Sequence, residues 1–424
     1  MTAEVAILNK AAVALAADSK VTIGSGGSEK TYDSVNKIFT LSKRHPVGIM
    51  IYGNADFMGY PWETVIKLYR HTSRDKSHPT VTDWARSFQR FLRGFGSIGK
   101  KEIQQNVSDI LRATFGEVEQ QALYMAHLQN VGIPSPEYEK ILIERLQAET
   151  RKIAAEGSWL VSKAGRALLN QQTKAVIDVV SEFVGTSKSR NLLDKALYLA
   201  SSVLLSKYFS PQSSGLVIAG FGEDEIFPAV ASFETDGYVG SRLKLSDMSE
   251  TQVAFDNRSA VVAYAQHEIV YRFMEGIDPT YNNFLNGLVR TAIVDSNRKV
   301  FEKWAPKSKQ TAKIKAGIEA AARKAFQRLN DSATQYRKME FQYPITQMVA
   351  ILPKDELANL AESLLTLTSL HRKVSRELET VGGPIDVAVI SKGDGFIWVK
   401  RKHYFKPELN RHWEMNYMRD AGSN

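Results

Sequence analysis

Short apolar runs separated by polar breaks occur at the start, in the middle and at the end of the chain. They come in pairs, which lie at residues 2–9 and 11–18, 37–41 and 47–52, 215–219 and 229–234, and 385–391 and 395–400. Runs of this length, rich in Val, Ile and Ala and flanked by turn-prone residues, predict β-strands joined as antiparallel hairpins. The first hairpin is expected to turn at Asn9-Lys10.

Between these pairs the apolar residues recur at helical spacing. Residues 56–69 predict a short helix, and long stretches within 84–208 and 261–378 show helical periodicity with few strand signals. Strand pairs that alternate with helices predict an α+β fold in which two antiparallel sheets pack between helical layers. We therefore expect a four-layer αββα sandwich that carries two inserted helical regions.

The chain of 424 residues, of which 43% are hydrophobic, exceeds the usual size of a single domain and predicts one elaborated core with insertions. The predicted regions are an N-terminal core part (1–83), a helical insertion (84–208), middle core strands (209–260), a helical region with a basic insertion (261–378), and a last hairpin with its tail (379–424).

The absence of cysteine excludes several kinds of site. Disulfides, thiolate catalysis and Cys-ligated metals are impossible, and the eight histidines show no ligand spacing, so no metal and no cofactor are predicted. No run of about 18 apolar residues is present and the N-terminus lacks a signal-peptide pattern, so we expect a soluble, cytoplasmic protein that does not enter a membrane.

The formal charge of +9 is concentrated in one part of the chain. Residues 298–338 hold twelve Lys or Arg against three acids. Such a segment could contact nucleic acid or an acidic partner, but a solvated helix face is the favoured interpretation.

Thr2 is the candidate nucleophile. Removal of Met1 before a small residue would leave an α-amine and a hydroxyl on the same residue. An α-amine has an ordinary pKa of about 7.7–8.0, so near neutral pH it can accept the hydroxyl proton and later return it to a leaving amine. A threonine at position 2 is common, however, and Thr2 alone is weak evidence.

Neighbouring segments give Thr2 a context. Residues 11–22, 35–39 and 53–56 resemble the proteasome β-subunit family of N-terminal-nucleophile (Ntn) hydrolases. The resemblance implies that Thr2 is the catalytic threonine, that Asp18 is a buried acid paired with Lys37, and that Lys37 lies beside the threonine hydroxyl. It assigns the Gly53 backbone N–H to the oxyanion. The alternatives are a structural ion pair for Asp18 and Lys37 and an ordinary turn glycine at Gly53.

The resemblance also implies a substrate and partners. Thr22 matches the residue that pairs with the substrate main chain, which indicates peptide or protein substrates. Val21, Val35 and Ile51 match the first specificity pocket and favour a hydrophobic residue before the cut bond, although core packing is an equal alternative. Family members self-associate, often into rings, and often work with an ATP-dependent unfoldase, so a homo-oligomer is expected.

The C-terminal motif departs from the family pattern. Residues 382–390 resemble the closing pair of glycines and strand, but Leu378 and Val381 stand where the family has an acid and a serine. Glu379 and Thr380 are nearby, and Ser259 is the accessory serine matched only loosely. The predicted function is that of a threonine-type peptidase or amidohydrolase that uses Thr2 after removal of Met1. The alternatives are a weak or inactive scaffold subunit that binds protein or nucleic acid, and a small-amide Ntn hydrolase.

Overall fold

A computed structural model describes residues 3–23, 30–96, 98–160, 162–304, 311–375, 381–403, 405–412 and 415. The chain folds into two compact units. Unit 1 comprises Met1–Asp33, Val253–Val389 and Trp398–Lys402. Unit 2 comprises Ser34–Gln252, Ile390–Ile397 and His403–Asn424.

Strands and helices alternate along both units. The strands are β1 (Ala3–Asn9), β2 (Val13–Ala17), β3 (Val21–Ile23), β4 (Lys30–Tyr32), β5 (Ile38–Thr40), β6 (Val47–Gly53), β7 (Asp56–Phe57), β8 (Tyr60–Pro61), β9 (Ser214–Gly220), β10 (Ala229–Val239), β11 (Arg242–Leu245), β12 (Ser249–Gln252), β13 (Ser259–Ala265), β14 (Asp386–Ser391) and β15 (Gly395–Lys400). The helices are α1 (Trp62–Ser73), α2 (Val81–Arg93), α3 (Lys100–Leu128), α4 (Pro136–Ala155), α5 (Ser162–Val184), α6 (Arg190–Leu205), α7 (Glu268–Glu275), α8 (Pro279–Trp304), α9 (Thr311–Arg337), α10 (Tyr343–Val349) and α11 (Lys354–Val374). A π-helical segment, Lys338–Gln342, joins α9 to α10.

Unit 1 is built on a five-stranded sheet in which β1 lies between β13 and β2, with β14 and β15 following in the order β13-β1-β2-β14-β15. β1 is antiparallel to both neighbours. Alternate residues of β1 face opposite sides of the sheet, and Ala3, Val5 and Ile7 share a core with Val270 of α7 and Leu357 of α11. The helices therefore cover one face of this sheet.

Unit 2 is built on a six-stranded antiparallel sheet in the order β11-β10-β9-β6-β5, with β12 also paired to β10. Ile49 and Leu216 on one face pack with Trp62 of α1 and Trp84 of α2. The Thr80 side chain caps the N-terminus of α2 by accepting the Asp83 N–H at 3.1 Å. This sheet therefore also has a helical layer on one face.

Helices α3 to α6 have a core of their own in unit 2, which includes Leu111, Leu146 and Leu199. A buried ion pair lies where this helical part meets the sheet. Lys244 Nζ on β11 lies 3.0 Å from Asp236 Oδ2 on β10, and both side chains are almost fully buried. Lys244 also donates to the backbone oxygen of Val203 in α6 at 3.1 Å.

The predicted hairpins are confirmed, and three boundaries were wrong. The helix expected from Asp56 begins at Trp62, because Met58-Gly59 adopt positive φ and form a small turn between β7 and β8. The second helical stretch begins at Glu268, because residues 259–265 form the strand β13. The first helical stretch was expected from about residue 84, but its first helix, α2, begins at Val81.

The observed elements make an α+β fold with antiparallel sheets. Among the described residues, no helix is both long enough and apolar enough to cross a membrane.

Replacement of Lys244 by Met is expected to lower the free energy of unfolding of unit 2 by about 3–5 kcal/mol, because Asp236 would keep a buried charge without its cation. Urea denaturation measures the change. The matched control is Lys207→Met, which breaks the exposed Lys207–Asp247 pair of 2.7 Å and should cost less than about 1 kcal/mol. Equal losses in the two variants would contradict the role given to the buried pair.

Candidate functional site

Asp18 follows β2 in unit 1 and joins two separate segments of the chain. Its carboxylate is buried and accepts hydrogen bonds from the Ala3 N–H through Oδ1 at 3.1 Å and from the Gly382 N–H through Oδ2 at 3.0 Å. The backbone adds a further bond, from the Asp18 N–H to the Ala3 oxygen at 3.2 Å. Asp18 therefore fixes the start of β1 against the loop that leads into β14.

The glycine pair before β14 is held by the residue after Asp18. The Ser19 N–H donates to the Gly382 oxygen at 3.3 Å, and the Ser19 hydroxyl donates to the Pro384 oxygen. Gly383 has a φ of +74°, and a Cβ there would lie 2.8 Å from the Asp33 Cβ. This close approach and the left-handed φ both require glycine at position 383.

β3 carries two of the predicted substrate-binding residues in unit 1. Val21 is half-buried and pairs with Tyr32, and Thr22 pairs with Thr31 of β4. Among the described residues β3 has no strand neighbour besides β4. An open edge presents backbone N–H and C=O groups to which an extended peptide can pair.

Ser259 does not accompany the start of β1. The antiparallel register pairs Ser259 with Asn9 and Ala265 with Ala3, so Ser259 lies at the opposite end of β1. Six residues of strand separate the two positions by about 20 Å. The Ser259 hydroxyl donates to the Thr346 oxygen at 2.6 Å, which is a structural contact. At this separation Ser259 does not fit the accessory role expected of it.

Unit 2 holds the other predicted residues. Lys37 precedes β5, is buried, and its backbone oxygen accepts the Ile51 N–H at 2.9 Å. Ile51 on β6 is buried in the unit 2 core, and Val35 is half-buried. Because Lys37 and Asp18 belong to different units, their ion pair stays a prediction.

Gly53 ends β6 in a conformation that favours glycine. Its φ is +78°, and a Cβ would lie 2.3 Å from the Ser213 oxygen. The turn after it is held by the Asn54 N–H, which donates to the Ser213 oxygen at 3.0 Å, and by the Ser214 hydroxyl, which donates to the Asn54 oxygen at 2.9 Å. Backbone at this turn can therefore approach a ligand without a side chain in the way.

A protonatable group lies next to Gly53. The Tyr52 hydroxyl donates to Glu234 Oε1 at 3.0 Å. Burial raises the pKa of the Glu234 carboxyl above its ordinary value of 4.5, the bond from Tyr52 opposes the shift, and the negative charge of Asp236 adds to it. The Tyr52 ring covers Gly215, where an added Cβ would overlap the ring.

Several predicted residues lie outside the described residues. They are Thr2, Leu378, Glu379 and Thr380. Val381 is described, and its side chain is fully buried in the unit 1 core. Val381 therefore packs in the core and supplies no hydroxyl group.

Three polar residues near these segments were missed by the sequence reasoning. Glu4 is buried within β1, Gln266 is buried one residue beyond Ala265, and Asp33 packs against Gly383. Ala265 itself has a φ of +56°, which is strained for a residue with a side chain. A signal existed only for Glu4, a charge inside an otherwise apolar strand. Among the described residues, no group of three His, Asp or Glu side chains could hold a metal ion.

Comparisons with solved structures include two that are loosely similar to this chain. The chain aligns with an Anbu (Gly-1) mutant from Hyphomicrobium sp. strain MC1 over 99% of its length and 96% of that chain, at 9% identity and a TM-score of 0.28. With Anbu (ancestral beta-subunit) from Yersinia bercovieri it aligns over 98% and 95%, at 9% identity and a TM-score of 0.29. No protein-family model and no curated protein sequence matches the chain. At these TM-scores the alignments assign no role to any residue.

Asp18→Asn is expected to lower the free energy of unfolding by about 1.5–3 kcal/mol, because one carboxylate oxygen becomes an N–H₂ donor that faces a backbone N–H. Urea denaturation gives the loss, and hydrogen exchange should show faster exchange at the Ala3 and Gly382 amides. Asp256→Asn is the matched control, since Asp256 is exposed and its carboxylate accepts the N–H of the next residue, Asn257, at 3.0 Å. Unchanged exchange at both amides in Asp18→Asn would contradict the role of Asp18.

Glu234→Gln should make folding stability less dependent on pH. The Glu234 carboxyl binds its proton more tightly in the folded than in the unfolded protein. Its contribution to the free energy of unfolding is therefore full below pH 4.5, and it is lost as the pH rises through the raised pKa of the folded state. The glutamine removes this decline, and the variant should gain stability relative to wild type between acid and neutral pH. Thermal unfolding measured across this range tests it. Tyr52→Phe removes the hydrogen bond that lowers the pKa of Glu234, so the decline in stability should extend to higher pH.

Proposed function

We propose that the chain is a threonine-type amidohydrolase of the Ntn kind, most simply a peptidase, which uses Thr2 after removal of Met1. In this proposal the fold is the four-layer αββα sandwich of that class, and Asp18 pairs with Lys37 as the family resemblance implies. The proposal draws on the resemblance of residues 11–22, 35–39 and 53–56 to proteasome β-subunits and on the contacts of Asp18.

The proposed reaction has two steps. The α-amine of Thr2 takes the hydroxyl proton as the oxygen attacks the carbonyl carbon of the amide, and a tetrahedral oxyanion forms. The C–N bond then breaks, the leaving amine takes the proton, and an ester remains on Thr2. A water molecule, deprotonated by the same α-amine, attacks the ester and releases the acid and the threonine hydroxyl.

Three residues would assist these steps. The ammonium of Lys37 would favour ionisation of the hydroxyl and keep the pKa of the α-amine low enough for a base. Asp18 would hold Lys37 and orient the N-terminus. The backbone N–H of Gly53 would stabilise the oxyanion, a contribution of about 2.7–4 kcal/mol where one such donor has been removed from an enzyme.

The observation that carries the proposal is the pair of hydrogen bonds to Asp18. A nucleophile at a chain terminus must be held in position, since a free end has many conformations that would have to be lost in the reaction. Through Ala3, the residue next to Thr2, Asp18 ties the terminal strand to the glycine loop. A buried carboxylate at this point is more than ordinary strand pairing requires.

The substrate class follows from β3. Among the described residues β3 pairs with β4 alone, and in this proposal an extended peptide pairs with its other edge through Thr22. The family resemblance matches Val21, Val35 and Ile51 to the first specificity pocket, and all three are apolar. We thus propose peptides that carry a hydrophobic residue before the cut bond. The prediction of self-association and of an ATP-dependent unfoldase partner rests only on the family resemblance.

Val381 favours a second candidate function. Its fully buried apolar side chain takes the place of the serine that helps position the α-amine in the family. A chain without that hydroxyl could serve as a scaffold subunit with little or no turnover. This candidate requires the fold but no reactive threonine.

The test is intact-mass analysis before and after treatment with a peptide epoxyketone, which reacts with an N-terminal threonine amine and hydroxyl together. Wild type is expected to lack Met1 and to gain one adduct, and Thr2→Ala should gain none. Thr366→Ala, an exposed threonine on α11, should react as wild type does. Retained Met1 or absence of an adduct would overturn the peptidase proposal and favour the scaffold.

Fluorogenic tripeptides test the specificity. A peptide with Leu before the cut bond should be cleaved with a kcat/KM at least about tenfold higher than one with Asp, because an apolar pocket leaves a carboxylate desolvated. Hydrolysis of a small amide in preference to both peptides would instead support the small-amide hydrolase.

A further inference from the structure

Helices α8 and α9 of unit 1 form an antiparallel pair whose two ends differ in chemistry. The register is set by two polar contacts: Asn286 Nδ2 donates to Asn330 Oδ1 at 3.4 Å, and the Arg337 guanidinium donates to Asn282 Oδ1 at 3.2 Å. The start of α8 thus lies beside the end of α9, and the end of α8 lies toward the start of α9.

The first of these ends, formed by residues 279–289 and 329–337, has no net charge and mixes aromatic, aliphatic and uncharged polar side chains. Asp331 and Arg337 are its only charged residues. Tyr281, Phe284 and Leu288 of α8 are each more than half exposed, at 55%, 61% and 52%. This end carries no excess charge.

The other end, here called the basic end, is formed by residues 290–304 of α8 and 311–328 of α9. It contains nine Lys or Arg and three acids. The continuous stretch 290–328 contains eleven Lys or Arg and three acids, a net charge of +8 out of +9 for the chain. The rest of the protein is therefore nearly neutral, and the basic end is a local feature rather than a general means to solubility.

The positive charges of the basic end are poorly compensated. Arg298 pairs with Asp295 at 3.1 Å, and Arg323 lies 3.9 Å from Glu319. Four further side chains are exposed and have no acid within ion-pair distance among the described residues; they are Lys313, Lys315, Lys324 and Arg328. Like charges held this closely repel one another, and the repulsion is relieved when an anion binds.

We propose that the basic end binds nucleic acid through its phosphates, independently of the function proposed for Thr2. Five of the nine basic residues of the basic end are Lys, a residue that is depleted in protein–protein interfaces but is a common phosphate contact. Lys313 and Lys315 lie about 200° apart around α9, so the charge surrounds the helix and is not gathered on one edge. This arrangement suits contact with the regularly spaced phosphates of a nucleic-acid backbone. It does not suit recognition of a base sequence.

The experiment is a fluorescence-anisotropy titration of the full chain with a labelled DNA duplex of about 20 base pairs, at salt concentrations from about 50 to 200 mM. Wild type should lose affinity by about a thousandfold over this range. The variant Lys313→Glu/Lys315→Glu/Lys324→Glu/Arg328→Glu should bind at least about 100-fold more weakly at the lowest salt, with a log–log salt slope smaller by about 3–4.

The matched control changes the same amount of charge elsewhere. Lys140, Lys163, Lys174 and Lys188 are exposed lysines of unit 2, and their replacement by Glu should leave most of the affinity in place. Circular dichroism checks that both variants are folded, and a variant with Gln at the four positions of the basic end gives a milder test that should fall between wild type and the Glu variant.

The outcomes separate the proposal from its rivals. The proposal is supported if only the variant of the basic end loses affinity. The titration is repeated with an RNA duplex of the same sequence, and the duplex that binds more tightly identifies the type of nucleic acid. Equal loss in the unit 2 control, or no binding at low salt, overturns the proposal. Displacement of the duplex by poly-L-glutamate at a lower charge concentration than by unlabelled duplex overturns it in favour of an acidic protein.

Discussion

The buried carboxylate of Asp18 is the constraint on which unit 1 depends. It accepts backbone N–H groups from Ala3 and Gly382, which are 15 and 364 residues away in sequence. A buried charge is stable only when its hydrogen bonds are made, and the two N–H groups would themselves be costly if left without an acceptor. The same contact therefore sets the start of β1, the end of β2 and the path of the loop into β14.

This constraint also fixes β1, the strand next to the proposed nucleophile. A β-strand in the middle of a sheet has its register fixed on both sides, since β1 pairs with both β2 and β13. The function proposed for Thr2 depends on such a fixed neighbouring strand, because the reacting atoms of a terminal nucleophile must meet the carbonyl at a defined angle.

The two units use positive charge in opposite ways. Lys244 is buried in unit 2 with every donor directed at an oxygen of Asp236, Val203 or Tyr208, and so it holds the helical part to the sheet. At the basic end of α8 and α9, Lys313, Lys315 and Lys324 are exposed and have no acid within ion-pair distance in the part of the chain that the structure describes. A buried lysine contributes to folding through its partners. The positive charges of an exposed lysine cluster repel one another, and a bound partner of opposite charge relieves that repulsion.

The sequence by itself determined the hairpins and most helices, because alternation and helical spacing of apolar residues report which side of an element is buried. It also identified Asp18, Lys37 and Gly53 as candidates and located the excess of basic charge. It could not determine that Ser259 lies at the far end of β1, that Asp33 packs on Gly383, or that the charge of α8 and α9 gathers at one end. These depend on strand register and helix pairing, which bring together residues distant in sequence, and local spacing carries no information about such contacts.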